Sequence, residues 1–121
     1  MFSISNQRKH TNLNHLCFQN TVYKLDVSGY HGNGGDSLSY SNGAKFTTYD
    51  RDHDTGTKNC ASLNGQGGGG AWWWKNCGYS NLNGFNHGHA RDTQKTMNWY
   101  HFGSSWKTLK TASMAIRPIR L

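Results

Sequence analysis

The sequence predicts a single loop-rich domain of short antiparallel strands. Two features of composition and one of pattern point there. Gly occurs 15 times and Asn 13 times in 121 residues, against a single Pro, and residues of this kind favour turns and irregular backbone over long regular elements. Hydrophobic residues make up only 34% of the sequence while aromatics reach 13%, so the core has to be built largely from Trp, Tyr and Phe. Alternation of period two recurs in brief runs, which is the mark of half-buried strands.

The elements follow in sequence order. Residues 1–20 mix Asn, His, Lys and Arg with isolated apolar residues and show no periodicity; they are expected to be weakly structured, and residues 21–121 to form the domain. From Val22 to Val27, Tyr23, Leu25 and Val27 alternate with Val22, Lys24 and Asp26, predicting a strand that Gly29 to Gly35 breaks. Ser37–Tyr40 and Lys45–Tyr49 flank Ser41-Asn42-Gly43, and Asn-Gly is a favoured pair where a hairpin needs positive φ. Gly67 to Gly70 lacks the Lys-Ser/Thr of a phosphate-binding loop and reads as a connector. A second aromatic segment runs from Met97 to Trp106. The alternation from Leu109 to Ile116, with Met114 and Ile116 on one face, predicts a closing strand that Arg117-Pro118 ends. No repeat, linker or second domain is visible.

The formal charge of +7 comes from 13 Lys and Arg against six acids, all Asp. A basic surface suits nucleic acid or anionic glycans, and Trp72, Trp73 and Trp74 beside Lys75 could serve as stacking platforms for single-stranded nucleic acid. Against that, the basic residues are scattered from Arg8 to Arg120 and never form a run longer than two. No window approaches the roughly 20 apolar residues of a membrane span. The start, MFSISNQRKHTNLNH, lacks the apolar core of a signal peptide, so the protein is either cytosolic or a fragment whose signal lies elsewhere. Cys60 and Cys77 enclose a Gly-rich loop, and Cys17 stands apart. A bridge closing such a loop contributes on the order of 3 kcal/mol, which favours a disulfide and an oxidising compartment; two reduced, buried cysteines are the alternative.

The clearest chemistry lies in Asp50-Arg51-Asp52-His53-Asp54, where three of the six acids fall within five positions. Two carboxylates about 4 Å apart repel by roughly 4 kcal/mol at an effective dielectric near 20, so converging them requires a counter-charge. Oxygen ligands at alternate positions suit Ca²⁺, which also accepts main-chain carbonyls. The pattern departs from the helix–loop–helix type: counting from Asp50, Thr55 takes the place of its Gly and Ala61 that of its bidentate Glu. A solvated turn neutralised by Arg51 and His53 is the competing reading. Zinc fits poorly, since no His or Cys spacing forms a closed tetrahedral set. No nucleophile turn, no glutamate and no phosphate-cradling motif is present, which argues against an enzyme.

Several of these stretches together carry a family signature. GYHGNGGDSLSYSNGAKFTTYDRDHD, NCA, GAWWWKNCGYSNLNGF, and NW followed by LKTASMAIRP, in this order from about Tyr23 to Pro118, resemble the C-terminal half of the fibrinogen-like domain of fibrinogens, ficolins, tachylectins, tenascins and angiopoietins. The resemblance implies an α+β, irregular, loop-rich domain with short antiparallel strands, a calcium loop and one disulfide, truncated at its N-terminus. It implies Ca²⁺ held by the Asp52 and Asp54 carboxylates and the carbonyls of Gly56 and Lys58, a Cys60–Cys77 disulfide, and a cis Asn76–Cys77 peptide bond. Beside the calcium loop it implies a ligand pocket at Asn76, Cys77, Gly78 and Tyr79. The implied protein is a secreted recognition module that binds a glycan, acetylated sugars among them, or an extracellular protein, within a longer parent that could form homo-oligomers. Trp72 to Trp74 would then pack the loop against the core. The sequence departs from the lectin-like members at Gly78, where they carry His, at Thr93, where Tyr is usual, and in an apparent insertion within Asn64 to Gly70. The family's N-terminal subdomain has no counterpart, which leaves a fragment without independent function as a further alternative.

Overall fold

A computed structural model describes residues 2–6, 9–16, 22–62, 69–86 and 94–115, the first two stretches by their backbone alone. Cys17, Thr93, Ile116 to Pro118 and most of the apparent insertion lie outside these residues.

A four-stranded antiparallel sheet forms one part of the fold. Its strands are β1 (Phe2–Asn6), β2 (Lys9–Leu16), β3 (Asp26–Gly32) and β6 (Ser113–Met114), in the order β3-β2-β1-β6. A two-residue pair, β4 (Ser80–Asn81) and β5 (Asn98–Trp99), makes a second, smaller sheet. β1 pairs with β2 from Phe2↔Leu13 to Asn6↔Lys9 and with β6 at Phe2↔Met114 and Ser3↔Ser113. Residues 1–20 were expected to be weakly structured; instead they contribute two strands. Their pairing is set by a neighbouring strand rather than by a hydrophobic repeat of their own, which is why a polar sequence conceals it. Between β2 and β3 the register shifts past Asn12, opposite the segment where Gly29 takes φ +69°, as in a β-bulge.

The strand expected at Val22–Val27 begins four residues later, at Asp26. Val22 and Tyr23 take φ of +56° and +50°, outside the strand region. The alternation is nonetheless real as burial: Leu25 and Val27 are in the core while Lys24 and Asp26 are exposed. Leu25 pairs with the opposite segment through its N–H to Ala44 O at 2.8 Å, and its carbonyl receives Gly43 N–H at 2.8 Å. The expected hairpin is replaced by one turn of 3-10 helix, Ser39–Ser41, and a four-residue turn. Asn42 at φ −56°, ψ 131° and Gly43 at φ +80° give type II geometry, closed by Ala44 N–H to Ser41 O at 2.9 Å. Asn-Gly thus marks a turn as expected, and its partner segments lie elsewhere: Thr47 bonds Trp72 in both directions, at 2.9 and 3.1 Å. At the other end, the predicted closing strand survives as β6, preceded by Leu109 N–H to Met97 O at 2.8 Å. Among the described residues no α-helix occurs, so they supply the β part of the expected α+β class.

Tryptophan makes the core. Trp72, Trp73, Trp74 and Trp99 are 1%, 8%, 2% and 1% exposed, joined by Leu25, Leu38 and Leu109. Each buried indole contributes a gross ~5 kcal/mol of apolar burial. Three consecutive tryptophans can all be buried because the backbone there is irregular and covered on both sides. Trp73 stacks edge-on against Trp72 and Phe46, both at 5.2 Å, and donates its Nε1–H to Tyr23 O at 2.8 Å. Trp74 donates to Gly70 O at 3.0 Å. With all three inside, the stacking-platform reading loses its platform. Tyr30, Phe46 and Phe102 are half-buried against this core, while Tyr40, Tyr49 and Tyr79 lie at the surface, where their hydroxyls meet solvent.

Candidate functional site

The acid loop leaves the core at Thr47 and folds on its own side chains. Thr48 and Arg51 exchange backbone bonds at 3.0 and 3.2 Å, and Thr48 Oγ1 donates to Asp50 Oδ1 at 2.7 Å, which holds the Asp50 carboxyl below the usual carboxylate range. His53 turns inward: its N–H reaches Thr47 Oγ1 at 3.1 Å and its Nδ1 pairs with Phe46 O at 3.0 Å. These two bonds anchor the loop to Phe46 and Thr47. Asp52 Oδ1 accepts Asp54 N–H at 3.1 Å; Asp54 accepts Gly56 N–H on Oδ1 and Cys60 N–H on Oδ2, both at 2.8 Å. Burial, and then repulsion from Asp52, push the Asp54 carboxyl above its ordinary value in spite of those two bonds.

Gly56 keeps this corner of the loop open. A Cβ at this position would stand 3.2 Å from both Asp54 Oδ1 and Lys58 O and 3.4 Å from Cys60 Sγ, so a carboxylate and a carbonyl approach each other beside the Asp52–Asp54 pair, next to the disulfide. Two crowded carboxylates and main-chain oxygens are the donor set that a hard divalent cation takes. Among the described residues no three His, Cys, Asp or Glu side chains gather, so the loop offers two carboxylates rather than a closed side-chain cage.

Cys60 and Cys77 are bridged, with Cα atoms 5.5 Å apart. Thr55 N–H donates to Lys75 O at 3.0 Å, and Lys75 N–H to Cys77 O at 2.8 Å. The acid loop is therefore tied to the Lys75–Cys77 turn by a covalent bond and a hydrogen bond. The Asn76–Cys77 peptide bond was expected cis and is trans, as are all described peptide bonds; the Lys75–Cys77 contact closes the turn with the amide in its ordinary, lower-energy form.

Beyond the turn opens a pocket of about 180 Å³, and all four expected residues, Asn76, Cys77, Gly78 and Tyr79, line it. Tyr40, Trp74, Ser80, Asn81, Gln94, Asn98 and Trp106 complete the wall. Sequence reasoning missed Tyr40 and Trp106, which arrive from segments 36 residues before Asn76 and 30 after it; their only signal was their type, aromatics set among polar residues. Asn98 is fixed by its Nδ2, which donates to Gln94 O at 3.0 Å and Thr96 O at 2.7 Å. Ser37 Oγ pairs with His101 Nδ1 and accepts His101 N–H, both at 2.9 Å, fastening the segment between Tyr100 and Trp106 to the Tyr40 segment. At Gly78 a Cβ would find Ser41 Oγ and Trp74 no nearer than 3.6 Å, an ordinary contact distance, so a methyl group fits there.

A loop-built domain with a disulfide-tied acid loop beside an aromatic pocket belongs to the class of recognition folds, in which irregular segments on a small scaffold present the site. The protein belongs to the fibrinogen C-terminal family: the family model for the C-terminal globular domain of the fibrinogen beta and gamma chains matches residues 10–119. It is 44% identical to tenascin-R of Rattus norvegicus over 99 residues, 81% of this sequence and 7% of that protein. It is 44% identical to angiopoietin-related protein 6 of Homo sapiens over 102 residues, 82% of this sequence and 21% of that protein. The fibrinogen-like globe domain of human ANGPTL2 superposes with a TM-score of 0.80 at 37% identity, covering 97% of this sequence and 56% of that one. The protein thus spans a small part of the relatives' length and about half of a solved globe. No described helix is long and apolar enough to cross a membrane.

Proposed function

We propose that the protein is the ligand-binding half of an extracellular, calcium-stabilised recognition domain, without enzymatic activity, that binds a protein or glycan in the pocket at Asn76–Tyr79. The observation that carries this reading is the connection between loop and pocket: Asp54 holds Cys60 N–H, and Cys60 is bridged to Cys77 in the pocket wall. Whatever orders the loop also orders the pocket. Asp52 and Asp54, with the carbonyls of Gly56 and Lys58, would hold the ion. When bound, Ca²⁺ neutralises the two carboxylates and fixes the loop's carbonyls. The protein's own contribution is to pre-organise: the Asp54 bonds set the loop, and the bridge transmits its position. Gly78, in place of the histidine of lectin-like members, moves weight from acetylated sugars to protein ligands.

The test is thermal unfolding of the full 121-residue protein with millimolar Ca²⁺ against EDTA, paired with a glycan and extracellular-protein binding screen under both conditions. Calcium at a hundredfold excess over Kd stabilises by about 2.7 kcal/mol, a shift of several degrees. An unchanged midpoint in wild type would refute the calcium site; binding that ignores EDTA would separate the pocket from it.

A further inference from the structure

The wall of the pocket is chemically one-sided. Among the described residues its side chains are aromatic rings, carboxamides and a serine hydroxyl, beside the bridged Cys77 and Gly78, with no carboxylate and no cationic group. Lys75 precedes the lining residue Asn76, and its ammonium lies 5.6 Å from the centre of the ring of Tyr40, another lining residue. Tyr40 and Tyr79 meet edge to face at 5.1 Å and remain 40% and 39% exposed, so the open side of the pocket is aromatic. Behind them the Trp106 ring lies parallel to Tyr79 within 6° at 6.5 Å, and Tyr100 touches both, at 5.7 and 4.8 Å. The acid nearest in sequence to Tyr40 is already engaged: Asp36 accepts the N–H groups of Leu38 and Ser39 at 3.1 and 2.9 Å and the Ser39 hydroxyl.

We propose that this pocket takes an acidic segment of a protein partner that carries an aromatic side chain. The partner's ring packs on Tyr40 and Tyr79, and a flanking carboxylate meets Lys75. The proposal rests on the recognition reading above and narrows its partner. Aromatic walls at an open mouth reward another ring in edge or offset contact. An ammonium resting on a tyrosine face gives up a contact of modest strength when it turns to a carboxylate. A cationic ligand on Tyr40 would face the Lys75 ammonium and find no counter-charge in the described wall, and a neutral sugar would leave Lys75 without a charge partner. The net charge of +7 adds long-range attraction for an acidic partner and repels a basic one.

Isothermal titration of the 121-residue protein with three capped peptides, Ac-Asp-Tyr-Asp-amide, Ac-Asp-Ala-Asp-amide and Ac-Lys-Tyr-Lys-amide, tests this, with N-acetylglucosamine as a fourth ligand. The first peptide is expected to bind at millimolar concentration or better, the alanine and lysine peptides about tenfold more weakly or not at all. Lys75→Gln, at a half-buried position that accepts the change, should weaken the first peptide about two- to fivefold and flatten its salt dependence. Tyr79→Ala should abolish binding, with circular dichroism checking the fold. Equal binding of the lysine peptide, or unchanged affinity in Lys75→Gln, overturns the proposal. If only N-acetylglucosamine binds, and Tyr79→Ala removes it, the recognition pocket stands and the acidic partner falls. If no ligand binds the calcium-loaded protein, both fall.

Discussion

Asp54 shows how one carboxylate holds two roles that a single substitution separates. It caps the Gly56 and Cys60 N–H groups, and Cys60 is fully buried. Asp54→Ala therefore leaves a buried donor unpaired, and the expected cost in EDTA is about 1–3 kcal/mol in chemical denaturation. The calcium-dependent increment should vanish in the same variant. Asp50→Ala should do neither, because Asp50 is exposed and its carboxyl bonds the neighbouring Thr48 hydroxyl, and its denaturation midpoint should match that of wild type. Loss of the calcium increment in Asp50→Ala would place the ion elsewhere in the loop. The alternate acids were legible in the sequence because crowded carboxylates in a basic protein need a reason. The inward turn of His53 was not, since which way an imidazole faces depends on a carbonyl, Phe46 O, that only the fold supplies.

At the scale of elements, glycine positions divide into those the backbone requires and one it does not. Gly35 has φ +77°, and a Cβ there would overlap the carbonyl oxygen of His101, in the segment that Ser37 ties down. Gly35→Ala is expected to cost roughly 2 kcal/mol or more, read as a lowered denaturation midpoint. Gly78 has ordinary backbone, and a Cβ there would meet Ser41 and Trp74 at ordinary contact distance, so Gly78→Ala should leave stability within about 0.5 kcal/mol while narrowing the pocket; a destabilisation as large as that of Gly35→Ala would show that the pocket wall is packed more tightly than these distances imply. The same distinction explains what the sequence revealed of the elements. Asn42-Gly43 announced a turn because positive φ is a local demand. Which strands the turn would join was not local: Leu25 pairs with Ala44, and Thr47 with Trp72, across 19 and 25 residues that no periodicity connects.

Over the whole molecule, order in so polar a protein comes from a few large contacts and one covalent tie. The tryptophans supply the apolar mass, and their burial could be anticipated from composition; β1 and β2 could not, because their pairing partners rather than their own residues define them. The Cys60–Cys77 bridge spans a sequence separation of 17, a loop whose closure is worth about 3 kcal/mol. For a domain of this size that is a large share of total stability, and replacing both cysteines by serine should lower the thermal midpoint by about 10 °C or more. The bridge also has a consequence for coupling. If calcium orders the loop and the bridge carries that order to the pocket wall, ligand and ion must raise each other's affinity by the same factor. In the doubly substituted protein the links left are hydrogen bonds, Thr55 N–H to Lys75 O among them, each worth about 0.5–1.5 kcal/mol. Calcium titrations with and without a saturating pocket ligand should thus show reciprocal enhancement in wild type and a much smaller one in Cys60→Ser/Cys77→Ser. Equal enhancement in both would mean that the hydrogen-bonded turn alone couples the sites, and that the disulfide acts on stability only.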